Sequence, residues 1–462
     1  MATHHPWLNE LTRWLPLVFC CWLIGAVLAL WSITALLVYS FSLFLVVSVV
    51  LWRGPHRDTF SPLPLILALF VLSYTWQIVL IGDKADSFTL LFPVEAKQLK
   101  VHLAWIGVVA VGAVAAMSLG VLSQFKLRPS AERLMVRLVP EDRQIRIMLI
   151  ALFGLMLTAA YVLVAGGIRN ILLNLHNRTE FLTGLNYLAS GPLVIFAAAF
   201  ARFVSNPRRQ PWLNASFLGA SVVLTFLTGS KANVALELGA VAIVFHYRVR
   251  RLVVPALLLF FVVSVLGLTM YNLYFRNALP RGVPLEQAIA ESGGLAGVPQ
   301  EFAKNTFFGA QALGVAHNHF AFPSAESFGE TYAPLLTAAI PHSLFVNKPQ
   351  AFAEQFTKSF APQLAETGTT YPATGIGEFY VAGGVLGTLL GSLFIGALVG
   401  YVYSRRNDST YGLARYALIL PLVPHFMRGE SYGIVVLGAT LLVPTWFILR
   451  VSGVRRHRRS YG

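Results

Sequence analysis

Long apolar stretches separated by short polar clusters dominate the chain. A helix that crosses a hydrocarbon core needs about 20 mostly apolar residues. Such runs fall near 15–32, 35–52, 62–82, 101–123, 147–166, 189–204, 213–228, 233–247, 252–272, 377–403, 414–427 and 431–449. The pattern predicts about twelve transmembrane helices, the first two divided around Trp31–Thr34. The runs are continuous, unlike the ~10-residue alternating strands of an outer-membrane barrel. The first is long and another follows directly, which reads as an anchor rather than a cleaved signal.

One region breaks this rhythm. Residues 273–376 are rich in proline and aromatic side chains, too apolar for a disordered linker and too long for a plain connection. They predict a folded, mostly helical cap. The expected architecture is an all-α polytopic membrane protein in four parts. These are nine spans within 1–272, including a loop at 167–188, the large loop 273–376, three spans within 377–450, and a basic tail at 451–462.

Composition sharpens this reading. The chain is 56% hydrophobic and 12% charged, against roughly 25% charged in a soluble protein. An ordinary soluble enzyme and a disordered chain are both excluded. The net charge of +15 divides unevenly. With a cytoplasmic N-terminus, the inner segments hold 23 Lys and Arg and 6 acids, and the outer segments 12 and 14. The positive-inside rule selects that orientation, with both termini cytoplasmic and 273–376 outside. The tail 454–459 then suits anionic lipid head groups, and no nucleic-acid partner is expected. Cys20 and Cys21 are adjacent in a span, so they neither staple the fold nor match a metal-ligand spacing. No P-loop, GxGxxG, HExxH or paired CxxC pattern occurs. Neither cofactor nor metal is expected, and no internal repeat points to an inverted-repeat transporter.

The chemistry concentrates on the outer segments. In Pro341–Gln350, Asn347 suits a helix N-cap, with Pro349 in the first turn and Gln350 three residues on. Phe352, Phe356 and Phe360 follow on one face. That places Lys348 at a helix N-terminus, where free N–H groups and a cation suit an anion. A capped surface helix whose Phe stripe packs on the bundle fits the same pattern. Thr228-Gly-Ser-Lys231 reads as a tight turn, with Glu237 inside the next helix as either a functional acid or a paired structural one. Arg428-Gly429-Glu430 reads as a turn between the last two spans. Glu378 opens a span that carries Gly383, Gly387 and Gly391 in a small-xxx-small packing pattern. It is a candidate base, or a charge complement to a helix N-terminus. His317 and His319 read as an exposed loop pair, and His342 as a further candidate. Asn177-Arg178-Thr179 is a chance sequon match. Taken together, Arg178, Lys231, Arg276, Lys348 and Arg428 offer isolated outer cations suited to a lipid phosphate or pyrophosphate.

These residues form a familiar set. Ile340-Pro-His-Ser-Leu-Phe-Val-Asn-Lys-Pro349, then Thr369-Thr370, then Gly377-Glu378-Phe379-Tyr380 and a glycine-rich span, resemble the bacterial oligosaccharide repeat-unit polymerases, the O-antigen polymerase (Wzy) family. Its members show Pro-Arg-x-Leu-Trp-Pro-Asp-Lys-Pro, a threonine segment, Gly-Glu-x-Tyr and Gly-x-x-Gly. Thr228–Lys231 resembles their Thr-Gly-Ser-Arg turn, and Arg428-Gly429 a late Arg-Gly. Here His342 stands where arginine is usual, and Asn347 where aspartate is common. His342 either takes over the phosphate contact or acts as a base.

The resemblance implies a metal-independent, inverting glycosyltransferase of the GT-C type in the bacterial inner membrane. Its substrate would be an undecaprenyl-pyrophosphate-linked oligosaccharide, moved onto the next lipid-linked repeat unit. Arg178, Lys231, Lys348 and Arg428 would bind pyrophosphate, and Glu378 or His342 would activate the acceptor hydroxyl. A chain-length regulator and a flippase are the implied partner proteins, beside membrane lipids. The rival readings are an O-antigen ligase, which delivers glycan to lipid A core, and a polysaccharide transporter or flippase.

Overall fold

The computed structural model describes residues 6–53, 58–83, 92, 99–124, 141–174, 188–208, 210–291, 306–320, 325–337, 345, 349–366, 370–429 and 431–451. Among these the regular structure is helical throughout. Eight helices are long and apolar enough to cross a membrane: Thr12–Trp31, Ile33–Leu51, Pro62–Gly82, Leu103–Ser123, Gln144–Val164, Leu188–Ser205, Thr374–Ser404 and Ser431–Val451. Many of their large apolar side chains point outward, including Leu30 (68% exposed), Val50 (62%) and Phe394 (67%). Apolar surface of this kind belongs in lipid, and the chain is a multi-pass, all-α membrane protein. The remaining four apolar runs are helical too, over Pro211–Phe226, Lys231–Arg248, Val254–Asn272 and the pair Thr410–Ile419 and Leu422–Arg428.

The contacts divide the chain into two compact units that interleave in sequence. The first comprises Met1–Pro129, Ala303–Ser404 and Leu422–Val436, and the second Ser130–Phe302, Arg405–Pro421 and Leu437–Gly462.

In the first unit, Pro6–Trp31 and Ile33–Arg53 are separate helices joined at Ser32, whose hydroxyl accepts the Ala35 N–H at 3.3 Å. The most extensive packing is between Leu103–Ser123 and Thr374–Ser404. It depends on close backbone approach. A Cβ at Gly120 would overlap backbone of Leu393–Ala397, one at Gly396 the Met117 carbonyl, and one at Gly400 would lie 2.7 Å from the Val121 oxygen. The packing stripe therefore lies further along than the Gly383/Gly387/Gly391 pattern suggests. Gly383 and Gly384 instead break the helix: Gly384 sits at φ 60°, ψ −147°, a region essentially restricted to glycine. Across the break, Gly387 and Gly391 accommodate Phe379 of the same element. Thr374–Ala382 is thus a short half-helix, and it carries Glu378 and Tyr380.

The described parts of 303–376 form short helices, Gly309–His319, Ala325–Leu336, Phe352–Phe360 and Pro362–Glu366. Phe352 and Phe356 are buried, at 2% and 0% exposure. The Phe stripe meets Phe92, Phe320 and Tyr371, and Phe92 in turn meets Phe308 and Tyr371, with ring centroids 5.2–6.3 Å apart. Each buried phenylalanine contributes about 1.5–3 kcal/mol, so the cluster ties three separate chain segments together. The helix begins later than its capping pattern suggests. Its N-cap is Ala351, and Pro349 and Gln350 precede it. Proline disfavours helical backbone at the residue before it, and Gln350 binds the helix from outside, accepting the Lys358 ammonium at 2.8 Å.

In the second unit, Glu141–Val164 packs on Gly191–Ser205, and a Cβ added at Gly154 would lie only 3.0 Å from the Gly191 carbonyl oxygen. Pro211–Phe226 and Lys231–Arg248 form a helical pair joined by a turn with Gly229 at φ 67°.

Candidate functional site

The clearest constellation lies in the first unit, where a cavity of about 250 Å³ is lined by Ala353, Thr370, Pro372, His425, Gly429, Gly433 and Ile434. Four elements build it. The helix Phe352–Phe360, locked by its Phe cluster, supplies Ala353. The extended stretch 370–373 supplies Thr370 and Pro372, and is held where the Thr357 hydroxyl accepts the Tyr371 N–H at 2.7 Å. The short helix Leu422–Arg428 supplies His425, and the turn after it supplies Gly429. The start of the last helix supplies Gly433 and Ile434. The turn is closed by the Gly429 N–H donating to the His425 carbonyl at 2.5 Å.

Glu378 sits beside this cavity without lining it. It is 1% exposed, and its two carboxylate oxygens accept the backbone N–H of Ser431 at 3.0 and 2.8 Å. The Ser431 hydroxyl donates to the same carboxylate. Ser431 is the first residue of the last helix, so the carboxylate complements that helix's N-terminus and fixes the chain where it leaves the Arg428-Gly429 turn. The charge complement weighed for Glu378 thus serves the last helix rather than its own. The phenol of Tyr332 also faces it, and burial, with the Glu378 charge second, pushes that phenol well above its usual range.

A second polar cluster occupies the other side of the half-helix. The Trp105 indole donates to the Tyr380 oxygen at 3.3 Å, and Tyr380 lies 2.7 Å from His317 Nδ1. With the indole donating, the phenol donates in turn, and His317 accepts as a neutral imidazole. The His102 ring packs edge-on to it at 4.8 Å. His317 and His319 therefore end a helix rather than form a loop pair, and only His319 is exposed. Burial, reinforced by His102, holds His317 below its ordinary value of 6.5. The folded chain prefers the neutral ring. Its contribution to stability is present above that value and lost as pH falls below it. Thermal unfolding in detergent should drop as pH is lowered from about 7.5 to about 5. His317→Gln should flatten the dependence, and an unchanged slope in that variant would assign the drop to other groups.

The remaining candidates belong to the second unit or lie beyond the described residues. Lys231 opens its helix in the second unit, where Ser230 caps by accepting the Asn233 N–H at 3.3 Å. Glu237, in the same helix, is fully buried and accepts the Thr225 hydroxyl at 2.7 Å. Arg276 falls in the helical segment Leu273–Ala278 of the second unit, and its side chain is outside the described set. Arg178, His342, Asn347, Lys348, Thr369 and Glu430 also lie outside it. Among the five candidate cations, Arg428 belongs to the first unit and immediately precedes the cavity-lining Gly429.

His425 carries no sequence signal of the usual kind. It lies within the apolar run 414–427, where a lone histidine reads as packing. The available signal was its spacing: three residues before Arg428, it shares that residue's helical face.

No known protein family, no curated protein and no solved structure matches the chain.

Proposed function

We propose that the protein is a lipid-linked-donor glycosyltransferase of the inner membrane that polymerises undecaprenyl-pyrophosphate-linked repeat units into O-antigen or exopolysaccharide. In this reading the four further apolar helices complete twelve spans, both termini are cytoplasmic, and 273–376 faces the periplasm. The observation that carries it is convergence. Thr370, Glu378 and Arg428-Gly429, which bear the resemblance to the polymerases, meet around one cavity although they lie up to sixty residues apart in sequence. Arg428 and Lys348 hold the pyrophosphate, whose bidentate recognition suits a guanidinium. Arg178, Lys231 and Arg276 are the further pyrophosphate-binding candidates of this reading. Ala353, Pro372 and Ile434 of the cavity wall take the apolar parts of the substrate. The donor is already activated by its pyrophosphate, so no nucleotide sugar is consumed. A chain-length regulator and a flippase are its expected partners.

Purified protein supplied only with a lipid-pyrophosphate repeat unit should yield a ladder of longer products. Transfer that starts only when lipid A core is added would favour the ligase. Unchanged substrate under both conditions would overturn glycosyl transfer altogether.

A further inference from the structure

We propose that His425 is the group that takes the proton from the acceptor hydroxyl, and that Glu378 is a positioning residue for the turn beside it. The proposal rests on the polymerase reading above and names the base within the same site.

Three observations support it. His425 lines the cavity, and Glu378 does not. The Glu378 carboxylate accepts the N–H and hydroxyl of Ser431 and so anchors the last helix. His425, by contrast, spends only its backbone carbonyl locally, on the Gly429 N–H. Among the described residues no hydrogen bond reaches either of its ring nitrogens. A cavity lined by His425 and Thr370 together with apolar Pro372, Ala353 and Ile434 suits a sugar. Hydroxyls bond the imidazole and the threonine, and the ring's C–H face packs on the apolar wall. Arg428, one turn further on the same helix face, sets the pyrophosphate within reach of that hydroxyl.

The step balances. The acceptor oxygen forms a bond to the anomeric carbon of the donor sugar as its proton passes to a His425 ring nitrogen. The bond from that carbon to the pyrophosphate oxygen breaks, and its electron pair leaves with the pyrophosphate, whose charge Arg428 stabilises. A neutral imidazole carries a ring-nitrogen lone pair that can accept this proton.

The test uses the full-length protein in lipid nanodiscs with a lipid-pyrophosphate repeat unit. His425→Gln should lower ladder formation by about 100-fold or more, and added imidazole should partly restore His425→Ala. Glu378→Gln should lower the unfolding temperature yet keep the wild-type pH profile of turnover. Retention of polymerisation within about threefold in His425→Gln, or a shifted pH profile in Glu378→Gln, would overturn the assignment. A second readout is independent of turnover: acylation of His425 by diethyl pyrocarbonate, followed by peptide mass spectrometry. Soluble repeat-unit oligosaccharide should slow it. A wild type that makes no ladder overturns the polymerase reading, while unslowed acylation overturns the placement of sugar at His425.

Discussion

Arg428→Ala should remove long glycan chains while the protein remains inserted and abundant. Arg428 ends the short helix Leu422–Arg428, beside the Gly429 turn that lines the cavity. On the proposed reaction its guanidinium meets charge that grows on the leaving pyrophosphate, so the loss falls on the transition state more than on binding. Removing one such stabilising group typically costs about 100-fold or more in rate, close to 3 kcal/mol. Lysine restores the charge but not the planar fork, so Arg428→Lys should recover only part of the activity. The measurement is the chain-length distribution from cells matched for the amount of protein in the membrane. Long chains persisting in Arg428→Ala would remove this residue from the site.

The largest expected effect on folding is at Gly396. Helices Leu103–Ser123 and Thr374–Ser404 meet backbone to backbone, and a side chain at Gly396 has nowhere to go but the Met117 carbonyl. Such overlap cannot be relieved by rotating a neighbouring side chain. Gly396→Leu should cost about 3 kcal/mol or more, the upper end for overpacking, and shift the purified protein from a single species toward aggregate. Gly383 supplies the control. It lies in open space at φ −153°, and Gly383→Ala should leave the unfolding temperature nearly unchanged. Equal behaviour of the two variants would mean that the helix contact is not tight at Gly396.

These two positions also show where sequence was informative. Eight of the expected spans were legible because each is a run of about 20 apolar residues, a requirement of the lipid that later packing does not alter. The joint near Ser32 was readable within a single apolar stretch. The glycine pattern was harder. Gly383, Gly387 and Gly391 have the spacing of a helix contact, yet only φ and ψ reveal a break at Gly383–Gly384 and a contact further on at Gly396 and Gly400. The N-cap was placed at Asn347 because its pattern is local, whereas the helix starts after Ala351, where Phe352 and Phe356 become buried. Tertiary burial outweighed a capping preference of about 1 kcal/mol. The site was half legible. Glu378 and Arg428 stood out as charged residues beside spans, but the partner of Glu378 is Ser431, 53 positions away. Nothing in local spacing announces such a pair. His425 was hard to see for the opposite reason: its apolar neighbours make a histidine look like packing, and only its spacing to Arg428 marked it.

The bond between Thr225 and Glu237 has a consequence for how the chain is made. An acid entering an apolar environment without a partner costs several kcal/mol, and many such acids must wait for a distant helix. Glu237 need not. The hydroxyl that it accepts at 2.7 Å belongs to a residue twelve positions earlier, so its partner has already left the ribosome when Glu237 emerges. The turn at Thr228–Ser230 folds the two helices against each other with no help from later sequence. Residues 211–248 can therefore leave the insertion machinery as one hairpin in which the Thr225 hydroxyl already meets one Glu237 carboxylate oxygen, and the costliest side chain in this part of the chain is never delivered alone.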